Sequence, residues 1–94
     1  MRIIIAVALV LMATACSKAA ADIKEAAKQA GCAAVEYYNE PNAFHGTSVR
    51  CADSAVVYWF PTAQANKDHG EVCKQVGGRQ IASGNNWTKY LPSC

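Results

Sequence analysis

Residues 47–61 read TSVRCADSAVVYWFP and hold the strongest structural signal in the chain. Thr47–Cys51 and Ala55–Phe60 are rich in β-branched and aromatic residues, which is typical of strands. Asp53-Ser54 between them is typical of a turn. Pro61 cannot donate to a strand ladder, so the second strand is expected to end there. The segment therefore predicts an antiparallel hairpin.

On the N-terminal side of this hairpin, Asp22 and Glu25 have the spacing of a capping box. A short helix is predicted to follow and to stop at Gly31, because glycine readily adopts a left-handed conformation. A longer helix reaching Tyr38 is the alternative, but an interior glycine costs about 1 kcal/mol. Past Gly31, Val35–Tyr38 suits a strand.

On the C-terminal side, Asp68 and Glu71 repeat the capping-box spacing and predict a second short helix closed by Gly77-Gly78. Two further strand segments, residues 79–82 and 87–91, flank a turn at Ser83–Asn86. The sequence thus predicts a small α+β domain with two short helices covering one face of an antiparallel sheet of three to four strands.

The chain contains five cysteines, and their number and spacing indicate which of them form disulfides. Setting Cys16 aside leaves an even number of cysteines: Cys32, Cys51, Cys73 and Cys94. None forms the Cys-x-x-Cys pair of zinc or dithiol redox sites, so two structural disulfides are expected. Three pairings are possible, of which the most local, Cys32–Cys51 with Cys73–Cys94, is favoured. Each closed loop of about 20 residues contributes roughly 3 kcal/mol in the chain-entropy model.

The first residues have the pattern of an export signal: Met1-Arg2, an apolar run over residues 3–13, then Thr14-Ala15. Ala13-Thr14-Ala15-Cys16 resembles the lipobox of bacterial lipoprotein precursors, which implies cleavage before Cys16 and lipidation of its sulfur. We expect a signal peptide at 1–15, a lipidated tether at 16–21 and one disulfide-stabilised domain at 22–94. Cleavage after Ala21, giving a soluble periplasmic or secreted protein, is the alternative.

The lipoprotein resemblance also implies a location. Ser17 stands where an aspartate would retain such a protein in the inner membrane, so the chain is expected in the outer membrane, facing the periplasm or the surface. Without Arg2, eight Lys/Arg face seven Asp/Glu, and this near-neutral balance offers no basic patch for nucleic acid. The expected partners are an envelope protein and, through the lipid, the membrane.

An aromatic surface is the best candidate for contacting that partner. On a strand, Val57 and Trp59 share one face, so helices on the other face would leave them exposed. With Tyr37 and Tyr38 they would form an aromatic patch of the kind used in protein binding. The alternative is that the strand is central and covered on both faces, or that Val57 and Trp59 lie under the C-terminal segment.

Catalytic residues, cofactors and metal ligands are not predicted. His45 and His69 lie beside turn residues without a second ligand at a typical spacing, and we expect both to be exposed loop histidines. Asp53-Ser54 lacks the motif of a nucleophile elbow. The chain is therefore predicted not to be an enzyme.

A second resemblance concerns the inhibitors of C-type lysozyme. Cys51, Ala82-Ser83-Gly84, Lys89 and Cys94 resemble elements of that family in the right order. The resemblance implies that Ser83 enters the lysozyme cleft and that Lys89 is a cationic contact. The leading interpretation is a non-catalytic, protein-binding envelope lipoprotein, either an envelope factor or a phage or plasmid exclusion-type protein. The alternative is a secreted or anchored inhibitor of a hydrolase such as C-type lysozyme.

Overall fold

The computed structural model describes residues 18–40 and 44–94, and the expected signal peptide and Cys16 lie outside these residues. Within them the chain forms two helices and a five-stranded antiparallel sheet. The elements in chain order are α1 (Ile23–Gln29), β1 (Ala34–Asn39), β2 (Thr47–Cys51), β3 (Val56–Trp59), α2 (Ala63–Gln75), β4 (Gln80–Ser83) and β5 (Trp87–Tyr90). The α+β class is confirmed, with one strand more than the three to four expected.

The strand order is β1-β2-β3-β5-β4. The β2–β3 hairpin forms as predicted: Asp53 Oδ1 accepts from the Ala55 amide at 3.1 Å, and Ser54 has φ +72°. β5 lies between β3 and β4, so α2 carries the chain from β3 across to β4, and the β4–β5 hairpin then returns to the centre. β1 and β4 are left as the two edge strands.

Helix α1 begins and ends as predicted. The Asp22 carboxylate accepts from the Glu25 amide at 2.9 Å, and Gly31 stops the helix with φ +66°. Glu25 reaches back one residue further than expected, because its carboxylate accepts from the Ala21 amide at 2.8 Å.

Helix α2 begins earlier than the prediction at Asp68, which was wrong. Its N-cap is Thr62, whose hydroxyl accepts from the Ala65 amide at 3.1 Å. Asp68 instead lies inside the helix and accepts from the Gln64 side chain at 2.9 Å. The helix ends near Gly77, as predicted.

The two helices pack on opposite faces of the sheet, so the prediction that both cover one face was wrong. Ala26 and Ala27 of α1 pack in one core with Val49, Val57 and Trp87. In the other core, Cys73 clusters with Tyr58, Phe60 and Tyr90, with Ala65 packed against it. Successive residues of a strand point to opposite faces. β3 is apolar on both of its faces, so each face is buried under a helix.

Two disulfides form with the favoured pairing, Cys32–Cys51 and Cys73–Cys94, with Cα–Cα distances of 5.2 and 5.3 Å. The first joins the segment between α1 and β1 to β2, and the second joins α2 to the segment after β5. Disulfides are consistent with an exported protein. The described helices include none long and apolar enough to cross a bilayer.

Candidate functional site

The four residues expected to form an aromatic patch do not lie together on one surface. Val57 is fully buried beneath α1, and Trp59 is partly buried against the same core. Tyr37 and Tyr38 lie on β1, where they are 47% and 39% exposed. A contact surface is therefore available at the tyrosines of β1 and not at the centre of the sheet.

β1 is exposed along its whole length. All six of its residues are exposed, and its inner side pairs with β2 in a register that places Tyr37 opposite Val49 and Tyr38 opposite Ser48. Because Val49 belongs to the core under α1 and neighbouring residues alternate, Tyr37 points to the α1 face and Tyr38 to the α2 face. The Tyr38 hydroxyl donates to Glu36 at 2.8 Å, and Arg50 forms an ion pair with Glu36 at 3.4 Å.

The residues expected to contact lysozyme are not brought together. Ser83 pairs with Thr88, and Lys89 is the next residue along β5, so Ser83 and Lys89 point to opposite faces. The Lys89 side chain is only 9% exposed, and its ammonium forms an ion pair with Asp53 at 3.1 Å. One partner surface cannot contact both residues, and Lys89 already has an internal partner.

The two histidines form a pair, contrary to the expectation of two exposed loop residues. His69 is 1% exposed on α2, whereas His45 lies in the exposed segment before β2. His45 Nδ1 and His69 Nε2 are 2.8 Å apart and share a hydrogen bond. Burial and, to a lesser degree, the neighbouring His45 lower the pKa of His69 to about 4, so its imidazole is neutral at neutral pH.

Sulfur atoms and aromatic rings surround this pair. Cys73 Sγ lies 3.4 Å from His69 Nδ1 and 3.6 Å from Nε2. Ligand atoms of His45, His69 and Cys94 all lie within 4.8 Å of one another. The rings of Phe44, Tyr58 and Phe60 lie 4.9–5.0 Å from the His69 ring, measured between centroids. Sequence reasoning missed this cluster because its members come from four separated parts of the chain, although His69 and Cys73 have the i, i+4 helix spacing.

A groove of about 550 Å³ with a mixed polar and apolar lining runs between α2 and the β4–β5 hairpin. Gly70, Lys74, Gln80 and Ser83 are among its lining residues, together with Tyr90. The Tyr90 hydroxyl is buried and finds no hydrogen-bond partner among residues 18–40 and 44–94, and burial raises the pKa of this phenol. A buried hydroxyl of this kind is destabilising unless a water molecule or ligand satisfies it.

Part of the segment expected to be a tether belongs to the folded domain. Ala20 is 3% exposed, and its backbone amide donates to Asn86 Oδ1 at 2.8 Å. Its carbonyl accepts from Asn86 Nδ2 at 2.8 Å and from the Trp59 indole at 2.9 Å. The ordered domain therefore starts upstream of Asp22.

Comparison of the chain with protein-family models, with curated proteins and with solved structures gives no match.

Proposed function

We propose that the protein is a small lipid-anchored envelope protein whose domain binds another envelope protein without catalysing a reaction. The proposal depends on the exposure of β1. This edge strand is exposed along all six residues and carries Tyr37 and Tyr38 on its two faces. Large amphipathic aromatic side chains are common energetic anchors of protein interfaces.

The backbone of β1 defines the kind of partner. One side of the strand pairs with β2, and in the described part of the chain no strand pairs with the other side. A row of free amide and carbonyl groups favours an extended segment of the partner, added as a further strand. Sheet edges are usually protected by charges, but the one charge of β1, Glu36, is engaged by Arg50. The two tyrosines would flank the added segment, one on each face.

The contacts of Ala20 support the lipoprotein route over cleavage after Ala21. Cleavage after Ala21 would remove Ala20 and take away a partner from both Asn86 and Trp59. Cleavage before Cys16 retains these buried hydrogen bonds. The same contacts limit the distance to the membrane, since the four residue-to-residue steps from Cys16 to Ala20 span at most about 14 Å. The lipid would thus hold the domain at the membrane surface.

Site-specific photocrosslinking in cells tests the binding surface. A photoreactive phenylalanine analogue replaces Tyr37 in one strain and Val76 in the control strain, because Val76 is an exposed apolar residue away from β1. The proposal predicts a discrete protein adduct from position 37 that is absent from position 76. An adduct of equal yield from both positions, or from neither, would contradict it.

A further inference from the structure

The cluster around His69 contains the donor atoms of a transition-metal site. His69 and Cys73 lie one turn apart on α2, His45 comes from the segment before β2, and Cys94 is the last residue. His45 Nδ1 and His69 Nε2 are 2.8 Å apart, and ligand atoms of these histidines and of Cys94 all lie within 4.8 Å of one another. Cys73 Sγ is bonded to Cys94 Sγ and lies 3.4 Å from His69 Nδ1 and 3.6 Å from Nε2. In the oxidised protein the sulfurs are bonded to each other, so neither is a thiolate ligand.

We propose that reduction of the Cys73–Cys94 disulfide converts this cluster into a Cys₂His₂ site that binds Zn²⁺. Imidazole nitrogen and thiolate sulfur are the ligands that zinc prefers, and four of them complete a closed tetrahedral site. The metal then keeps Cys94 attached to α2 in place of the disulfide. Zinc binding and the disulfide exclude each other, because each requires the same two sulfur atoms.

The reaction balances with a dithiol as reductant. One thiolate of the dithiol attacks a sulfur of the Cys73–Cys94 bond, its second thiol resolves the mixed disulfide, and the reductant leaves as a disulfide. The protein gains two electrons and two protons and carries two thiols. Zn²⁺ displaces both thiol protons to solvent. His45 carries its remaining proton on Nε2, so that His45 Nδ1 and His69 Nε2 both present lone pairs to the metal.

The residues around His69 hold the proposed ligands in fixed positions. Three aromatic rings pack around His69 and fix the plane of its imidazole. His69 and Cys73 both project from one regular helix, which sets their separation. The second disulfide offers an internal comparison, because Cys32 and Cys51 lie in the core under α1, while both histidines contact Tyr58, which belongs to the other core.

Calorimetric titration with Zn²⁺ tests the proposal, which is independent of the proposed function. The mature protein is reduced with dithiothreitol, freed of it anaerobically, and compared with the oxidised form. We expect one Zn²⁺ per reduced chain and no binding to the oxidised chain at the same concentration. His45→Ala, a change at an exposed position, should weaken the affinity at least about 100-fold, since loss of an outer-shell partner alone typically costs about 10–100-fold.

Two double variants locate the ligands. Cys32→Ser/Cys51→Ser retains the site and should still bind one Zn²⁺ after reduction, whereas Cys73→Ser/Cys94→Ser should not bind. Unfolded chains also bind metal through cysteine and histidine. Binding that is insensitive to His45→Ala, or that survives loss of Cys73 and Cys94, would therefore overturn the proposal. Failure of the reduced wild type to bind Zn²⁺ would overturn it as well.

Discussion

The side chain of Asn86 hydrogen-bonds both backbone groups of Ala20, at 2.8 Å each, across 66 residues of sequence. The same amide nitrogen also donates to the Phe60 carbonyl at 2.9 Å. One buried carboxamide thus joins the start of the domain to the end of β3 and to the β4–β5 turn.

Removal of the Asn86 carboxamide should destabilise the folded domain. We expect Asn86→Ala to lower the free energy of unfolding by about 2–3 kcal/mol, because it leaves buried backbone groups without partners. Removing residues 18–21 should have an overlapping effect, since it deletes the other half of the same hydrogen bonds. Denaturant unfolding of both single changes and their combination measures the coupling. Strictly additive losses would show that the two segments act independently.

The ion pair of the buried Lys89 with the exposed Asp53 predicts a contrast between two neutralised carboxylates. Asp53→Asn retains an acceptor for the Ala55 amide but leaves the ammonium of Lys89, mostly buried, without a counter-charge. Glu36→Gln neutralises an exposed pair, which contributes little. Thermal unfolding should show a Tm loss of several degrees for Asp53→Asn and almost none for Glu36→Gln. Equal losses would contradict the difference in burial.

The same pair predicts a pH dependence. The Ala55 amide and, secondarily, Lys89 lower the pKa of Asp53 below its ordinary 3.8. A depressed carboxyl pKa stabilises the folded state above the unfolded pKa, and this contribution is lost as the pH falls through the folded pKa. The Tm difference between wild type and Asp53→Asn should therefore be complete above pH 3.8 and shrink at more acid pH. A difference that persists unchanged at pH 2 would contradict the assignment.

Two tyrosines of the core under α2 should respond in opposite directions to loss of their hydroxyl. Tyr90→Phe removes a buried hydroxyl that has no partner within the described part of the chain, and it should raise the free energy of unfolding by about 1 kcal/mol. Tyr58→Phe removes the acceptor of the Cys94 amide, 3.1 Å away, and should lower it by about 1 kcal/mol. Denaturant unfolding measures both. Destabilisation by Tyr90→Phe would reveal a partner bound to this hydroxyl from the groove.

Much of the fold follows from local sequence. The Asp53-Ser54 turn, the Asp22 cap and the stop at Gly31 depend on neighbouring residues, and each was predicted correctly. The start of α2 was predicted wrongly at Asp68. Thr62 and Asp68 can both cap a helix, and the helix begins after Thr62. Local preference does not distinguish them, since either side chain can accept from an amide three residues on.

The placement of side chains was less predictable. β3 is apolar on both faces, and its sequence alone left open whether a second helix covers Val57. The histidine pair and the Ala20–Asn86 contacts join residues 24 and 66 positions apart, so no local pattern marks them. Only the assembled sheet brings these residues together.

The proposed lipid anchor can be tested by mass. Protein from the membrane fraction should begin at Cys16 and carry lipid, with four alkylatable thiols that appear only after reduction. Intact-mass spectrometry before and after reduction and alkylation measures both. A soluble chain that begins at Asp22 would contradict the anchor and would lack Ala20.

In the proposed complex, a segment of the partner adds a strand to β1. Amide hydrogen exchange tests this strand addition most directly. It compares the free protein with its purified complex with the partner that crosslinking identifies. Peptides that cover Ala34–Asn39 should exchange markedly more slowly in the complex, while those around Val76 should not change. Unchanged exchange in β1, with protection elsewhere in the domain, would contradict the addition of a strand to β1.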